Sequence, residues 1–196
     1  MDYVDLYLIH WPNNYQYESK RTPMHVLWAK LEKLVAKGLT RAIGLSNFNT
    51  QFVGDILTYA KVRPVVNQIQ IYPCYAQSGF IKFLRKQGIV PVAYSPIGRP
   101  GATFGPLSHV NLREDPLIVS LAKKYKRTPV QILINWGISR GYAVIPKANS
   151  LSHQKDNFAA MSFRLAQKDV DAIIAKFHDG TRLYECPSDT EFGLFD

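Results

Sequence analysis

The sequence predicts an α/β fold built on parallel strands, and three observations carry that prediction. Short β-branched runs alternate with longer segments of helical period, the rhythm of βα units around a parallel sheet. Five of the short runs end on a polar or aromatic group, where α/β sheets and barrels place their sites. The length of 196 residues, with 46% hydrophobic and 20% charged side chains, suits one ordinary domain with a sizeable core. We therefore expect a single domain over residues 1–196, closing in a polar and aromatic tail from Asp179 to Asp196.

The elements follow in order. The apolar run Val4 to Ile9 reads as a buried strand that stops on His10, Trp11 and Pro12. A helix is expected from Pro23 to Lys37, with Val26, Leu27, Leu31, Leu34 and Val35 on one face and Gly38 ending it. Arg41 to Leu45 is a short strand, and the polar turn Ser46-Asn47-Phe48-Asn49 leads into a helix from Thr50 to Ala60. Pro64 resets the chain for a strand at Val65 to Ile71. A helix at Gly79 to Gln87 and a strand at Val90 to Tyr94 repeat the pattern.

The stretch from Gly98 to Arg113 holds three glycines and two prolines and begins no element, so it reads as a loop over the sheet mouth. Helices are expected at Asp115 to Tyr125 and Thr128 to Ser139, the second with Pro129 in its first turn. A strand at Ala143 to Ile145 ends at Pro146-Lys147, a helix starts near Ser152, and a last helix runs from Ala166 to Phe177 with Val170, Ile173 and Ile174 as its buried stripe.

Composition excludes several classes. Cys74 and Cys186 are far apart, with no CxxC or Cys/His cluster, which argues against a disulfide framework or a zinc site and fits a reducing cytoplasm. No apolar stretch approaches the length of a membrane span, and no leader is expected. The net charge of +9, from 24 Lys plus Arg against 15 Asp plus Glu, attracts phosphate in any form. Its densest cluster, Lys123, Lys124, Lys126 and Arg127, falls where a helix ends and complements the helix dipole. No nucleic-acid-binding module accompanies it.

His10, Ser46 with Asn47, Gln68 with Gln70 and Tyr72, Tyr94 with Ser95, and Lys147 thus stand at the ends of successive strands. A histidine closing an apolar strand reads either as a satisfied structural residue or as a group presented at the sheet mouth. Five such groups on parallel strands favour presentation, because the carboxyl ends of barrel strands open onto one face.

The segments DYVDLYLIHWP, GLTRAIGLSNFN, PVVNQIQIYP, VPVAYSPIG and VIPKANSLSHQKDNF resemble, in order, the successive motifs of the aldo-keto reductases. That resemblance implies a (β/α)8 TIM barrel and NADPH-dependent reduction of an aldehyde or ketone. It implies that His10 donates a hydrogen bond to the substrate carbonyl and that Trp11 walls the pocket. Ser46, Asn47 and Gln68 would hold the nicotinamide carboxamide, and Tyr94 would stack on the ring. Ser95 and Gly98 would start the loop over the pyrophosphate; Lys147, Asn149 and Ser150 would take the 2′-phosphate, and Asp156 and Asn157 the adenine.

The departures from the family pattern shape the expectation. His153 stands where the family carries an arginine, which weakens the second cation on the 2′-phosphate and keeps NADH possible beside NADPH. Gln70 and Tyr72 replace glutamate and histidine, read as pocket variation. The chain starts at what matches strand four, so the expected fold is a barrel truncated to strands four to eight. The family's tyrosine, lysine and aspartate then have no counterpart, and Tyr3, Tyr7, Tyr15 and Tyr17 are read as structural or surface residues. Two function classes follow: an oxidoreductase acting on a small carbonyl substrate, or a catalytically incompetent nucleotide-binding chain. Open strand edges would favour self-association.

Overall fold

The computed structural model describes residues 2–12, 22–98, 110–177, 180 and 182–183. Five parallel strands follow one another in the sheet in the order β1-β2-β3-β4-β5: Val4–Ile9, Thr40–Ser46, Val66–Gln70, Val90–Tyr94 and Ala143–Ile145. Seven helices connect or flank them: α1 Met24–Ala36, α2 Thr50–Tyr59, α3 Ser78–Lys86, α4 Pro116–Tyr125, α5 Pro129–Ser139, α6 Leu151–Ala159 and α7 Gln167–Phe177. Every expected element within these residues forms, with ends within about two residues of the expectation, the usual uncertainty of helix and strand ends. Most of the expected loop after Gly98, and nearly all of the expected tail with Cys186, fall outside the described residues, as do Tyr15 and Tyr17.

The described residues group into two compact units, the first containing Met1–Ile69 and Ser78–Pro91, the second Gln70–Gln77 and Val92–Tyr184. In the first, β1 pairs with β2 from Val4↔Thr40 to Ile9↔Leu45, and β2 pairs with β3 at Leu45↔Asn67 and Ser46↔Gln68. Gly44 makes the close approach possible. A Cβ there would lie 2.8 Å from Leu8 Cδ2 and Val66 Cγ2 and 2.9 Å from the Val66 carbonyl. Ile43, Leu45, Val53, Ile56, Ile69, Ile81, Leu84 and Ile89 form the buried core.

Two sequence expectations need correction here. The buried anchor of α1 is Trp28 together with Leu31, whereas Val26 is exposed. The indole is fully buried, and its Nε1 donates to the Val62 carbonyl at 3.1 Å. Beside it, Glu32 Oε1 accepts from the Lys61 and Val62 amides at 2.7 and 2.9 Å, so α1 captures the loop after α2. The second correction concerns β1, which was expected to be buried. Leu6 and Tyr7 are exposed and only Ile9 is buried. The physical reason is position, since β1 ends the strand order and is covered less than β2. Tyr3 and Tyr7 lie at the surface, as expected.

In the second unit, β4 pairs with β5 at Val92↔Ala143, Ala93↔Val144 and Tyr94↔Ile145. Asp115 caps α4, accepting from the Leu117 amide at 2.8 Å, with Pro116 in the first turn. Thr128 and Gln131 form a capping box at the start of α5. This helix is buried nearly all round, from Gln131 to Gly137. Its fully buried amide, Asn135, is fully used: Nδ2 donates to the Ala160 and Phe163 carbonyls at 2.8 and 2.7 Å, while Oδ1 accepts from Ser139 Oγ and the Leu165 amide.

The basic cluster does fall at the end of α4, where Lys126 takes a left-handed C-cap. Lys124 within it pairs with the buried Asp169 of α7, and Tyr125 Oη bonds the same carboxylate while accepting from the Ala166 amide. Burial pushes the Asp169 carboxyl up, but the Lys124 and Tyr125 hydrogen bonds outweigh it and hold it below its ordinary value. The same hydrogen bond from Lys124 to Asp169 raises the Lys124 ammonium.

Candidate active and cofactor site

The first unit brings five of the expected residues, His10, Trp11, Ser46, Asn47 and Gln68, together towards the carboxyl ends of β1, β2 and β3. His10 is exposed, one residue past β1, with the Trp11 ring centroid 5.9 Å from its own. Ser46 ends β2 and is buried; its Oγ donates to the Gln68 carbonyl at 2.9 Å. Asn47 is buried in the left-handed region, at φ 62°, a conformation that Asn tolerates better than most residues. Its backbone N–H also donates to the Gln68 carbonyl, at 2.9 Å.

The Asn47 side chain then closes the group. Nδ2 donates to the His10 carbonyl at 3.0 Å and to Ser46 Oγ at 3.2 Å. The Ser46 hydroxyl hydrogen is therefore spent on the protein, which leaves its oxygen as an acceptor. Gln68 is half-buried, and its side-chain amide makes no hydrogen bond within the described residues, so a donor and an acceptor remain available. A primary carboxamide needs that combination: one acceptor for its NH2 and one donor for its carbonyl.

The second unit carries the remaining residues. Tyr94 ends β4 half-buried, followed by Ser95 at φ 49°. The Ser95 carbonyl accepts from the Gly98 amide at 3.0 Å, so this segment turns back on itself. Gly98 has φ 75°, and a Cβ there would meet Leu112 at 3.4 Å, so glycine suits both the backbone and the space. Gln70 and Tyr72, expected to vary the pocket, are both buried; the Gln70 carbonyl accepts from Gln77 Nε2 at 2.6 Å.

Beyond β5, Lys147 and Asn149 are exposed. Ser150 caps α6, its Oγ accepting from the His153 amide at 3.2 Å. The imidazole of His153 and the carboxylate of Asp156 face solvent, while Asn157 is half-buried at a cleft of about 570 Å³ that Ile134, Ile138 and Val144 also line. A lysine, a histidine, a hydroxyl cap and a helix N-terminus thus lie within a short span of the chain, a combination suited to phosphate.

Sequence reasoning missed one residue of the first group. Asn67 is fully buried in β3, and its Nδ2 donates to the Phe48 carbonyl at 2.8 Å. The signal was present in the run VVNQIQ, where the polar residues Asn67 and Gln68 are adjacent within the strand. Alternation sends only one of them to the Gln68 side.

Among known proteins, the model of the Aldo/keto reductase family matches residues 1–177. Over 186 residues the chain is 38% identical to aldo-keto reductase family 1 member A1-A of Danio rerio, covering 88% of this chain and 57% of the relative. It is 34% identical over 190 residues to the NADP-dependent D-sorbitol-6-phosphate dehydrogenase of Malus domestica, covering 88% and 61%. Against the solved aldose reductase of Giardia lamblia the TM-score is 0.87 at 28% identity, covering all of this chain and 69% of that one. The aldose reductase of Schistosoma japonicum gives 0.83 at 27%, covering 94% and 61%. The chain therefore spans 57% to 61% of the length of these two curated relatives. With the family match covering residues 1–177, this chain belongs to the aldo/keto reductase family of oxidoreductases.

Proposed function

We propose that this chain forms the strand-four-to-eight sector of a family (β/α)8 barrel and contributes the NADPH-binding residues and part of the pocket of an aldehyde or ketone reductase. The observation that carries the reading is the Ser46, Asn47 and Gln68 cluster, which leaves a donor and an acceptor suited to a primary carboxamide.

When bound, the reduced nicotinamide supplies a hydride to the carbonyl carbon. Ser46 and Gln68 fix the carboxamide, and Asn47 fixes both of them by bonding Ser46 Oγ and the Gln68 carbonyl. Tyr94, by the family resemblance, would supply the aromatic ring for stacking. His10 directs an N–H at the substrate oxygen, stabilising the negative charge that grows there during reduction. Trp11, in ring contact with His10, walls that position. Lys147 and Ser150, helped by His153 and Asn149, hold the 2′-phosphate and favour NADPH over NADH; Ser95 and Gly98 line the pyrophosphate, and Asp156 and Asn157 the adenine.

The test is single-turnover oxidation of NADPH with a reactive aldehyde such as nitrobenzaldehyde, run beside His10→Ala. Turnover that depends on His10 establishes a reductase. NADPH binding without turnover favours the second reading, a nucleotide-binding chain. Absence of binding overturns both.

A further inference from the structure

We propose that Asn67 is a positioning residue for the nicotinamide half of the site, an inference that rests on the cofactor reading above. The turn Ser46-Asn47-Phe48-Asn49 presents the carboxamide-binding pair, and it is held in an unfavourable shape, with Asn47 in the left-handed region. Such a conformation persists only where the surroundings over-determine it. Two hydrogen bonds hold its start, from Ser46 Oγ and the Asn47 amide to the Gln68 carbonyl. The third, from Asn67 Nδ2 to the Phe48 carbonyl, holds the residue after Asn47.

The burial of Asn67 sets this bond apart from an ordinary structural one. Asn67 has no exposed surface, and its Oδ1 is buried without a hydrogen-bond partner among the described residues. The orientation is not in question, because turning the amide over would set Oδ1 against the Phe48 carbonyl oxygen. Asn135 shows what a purely structural buried asparagine looks like here, with donors and acceptor all engaged. Leaving a buried acceptor unsatisfied opposes folding. An aliphatic side chain at 67 would remove that opposition and would also release Phe48. The amide thus trades fold stability for a turn of defined geometry. Asn67 is too deeply buried to touch a ligand, so it acts through Asn47 and Ser46.

The test uses the whole chain with Asn67→Leu, and with Asn67→Ala as a smaller variant that also removes the donor and buries no ionisable group. NADPH affinity is read by nicotinamide fluorescence, and adenosine 2′,5′-bisphosphate affinity by calorimetry, because the bisphosphate lacks the nicotinamide half. The expected result is NADPH binding weakened about tenfold, the worth of one well-placed hydrogen bond, with bisphosphate binding unchanged. Hydrogen exchange at the Asn47 amide should accelerate in both variants relative to amides of α5. Unchanged NADPH affinity in a folded variant overturns the inference, and so does a parallel loss for both ligands. If the unaltered chain binds neither ligand, the cofactor reading falls, and exchange at Asn47 alone decides whether Asn67 holds the turn.

Discussion

The side-chain amide of Asn47 donates to the backbone carbonyl of His10 at 3.0 Å, joining the turn after β2 to the residue presented at the end of β1. Under the function proposed above, this bond links cofactor recognition and substrate orientation through one side chain. Replacing Asn47 by Gly keeps the left-handed backbone and removes only the side-chain bonds, whereas Ala removes the bonds and adds strain. We expect both variants to lose NADPH affinity about tenfold. The Ala variant should also be less stable than the Gly variant by about 1 kcal/mol. Urea unfolding of the pair checks the difference.

Gly44 marks where β2 meets β1 and β3 most closely. A Cβ there would be driven into Leu8 and Val66, and the Val66 contact is partly with backbone, which cannot rotate away. Gly44→Ala should destabilise the chain by about 2 kcal/mol or more, as overpacking in a filled core does. A Gly54→Ala control, where a Cβ meets nothing within 4 Å, should be neutral or slightly stabilising in the same urea titration.

Lys147 and His153 differ in what they offer a phosphate. Lys147→Met should lower NADPH affinity about tenfold and leave NADH affinity nearly unchanged, with the loss shrinking in high salt. His153→Arg should raise the preference for NADPH, because a guanidinium keeps its charge and its fork of donors. Competition titrations with the two nucleotides measure the ratio directly, and an equal effect on both would reject the assignment.

The Asp169, Lys124 and Tyr125 cluster ties α7 to α4, and its pH dependence has two limbs. The Asp169 carboxyl is depressed in the folded chain, so its contribution is complete above the unfolded value near 4 and is lost as pH falls through the lower folded value. The Lys124 ammonium is raised, so its contribution is present below the unfolded value near 10 and is lost as pH rises through the folded one. Asp169→Asn should lower the melting temperature at neutral pH by a few degrees and flatten both limbs. Scans from acid to alkaline buffer, with and without the substitution, provide the check.

Much of this protein was legible in its sequence, because periodicity and punctuation are local. The strand Val90–Tyr94, the caps at Asp115 and Thr128, and the left-handed glycine after α1 follow from neighbouring residues alone. The strand-end groups were legible for the same reason, since parallel strands entering from one side must end on the other. Exposure along β1 was not legible, because an apolar run reads alike in the middle and at the end of a sheet; only the strand order places Leu6 and Tyr7 in solvent. Nor could sequence assign the buried face of α1 fully, where Trp28 joins Leu31 at its centre, bonding the Val62 carbonyl 34 residues away, and Val26 turns out exposed.

By itself, the sequence determined the order of elements, the family and the chemistry of the groups at the strand ends, since each depends on residue type and spacing along the chain. Tertiary structure alone decided how those groups are used. The Ser46 hydroxyl hydrogen is committed to Gln68, Asn47 is bent back onto His10, and Asn67 is buried with one acceptor unsatisfied. These are facts of hydrogen-bond partnership between residues far apart in sequence, and partnership is set by the register of β1, β2 and β3, which no local pattern encodes.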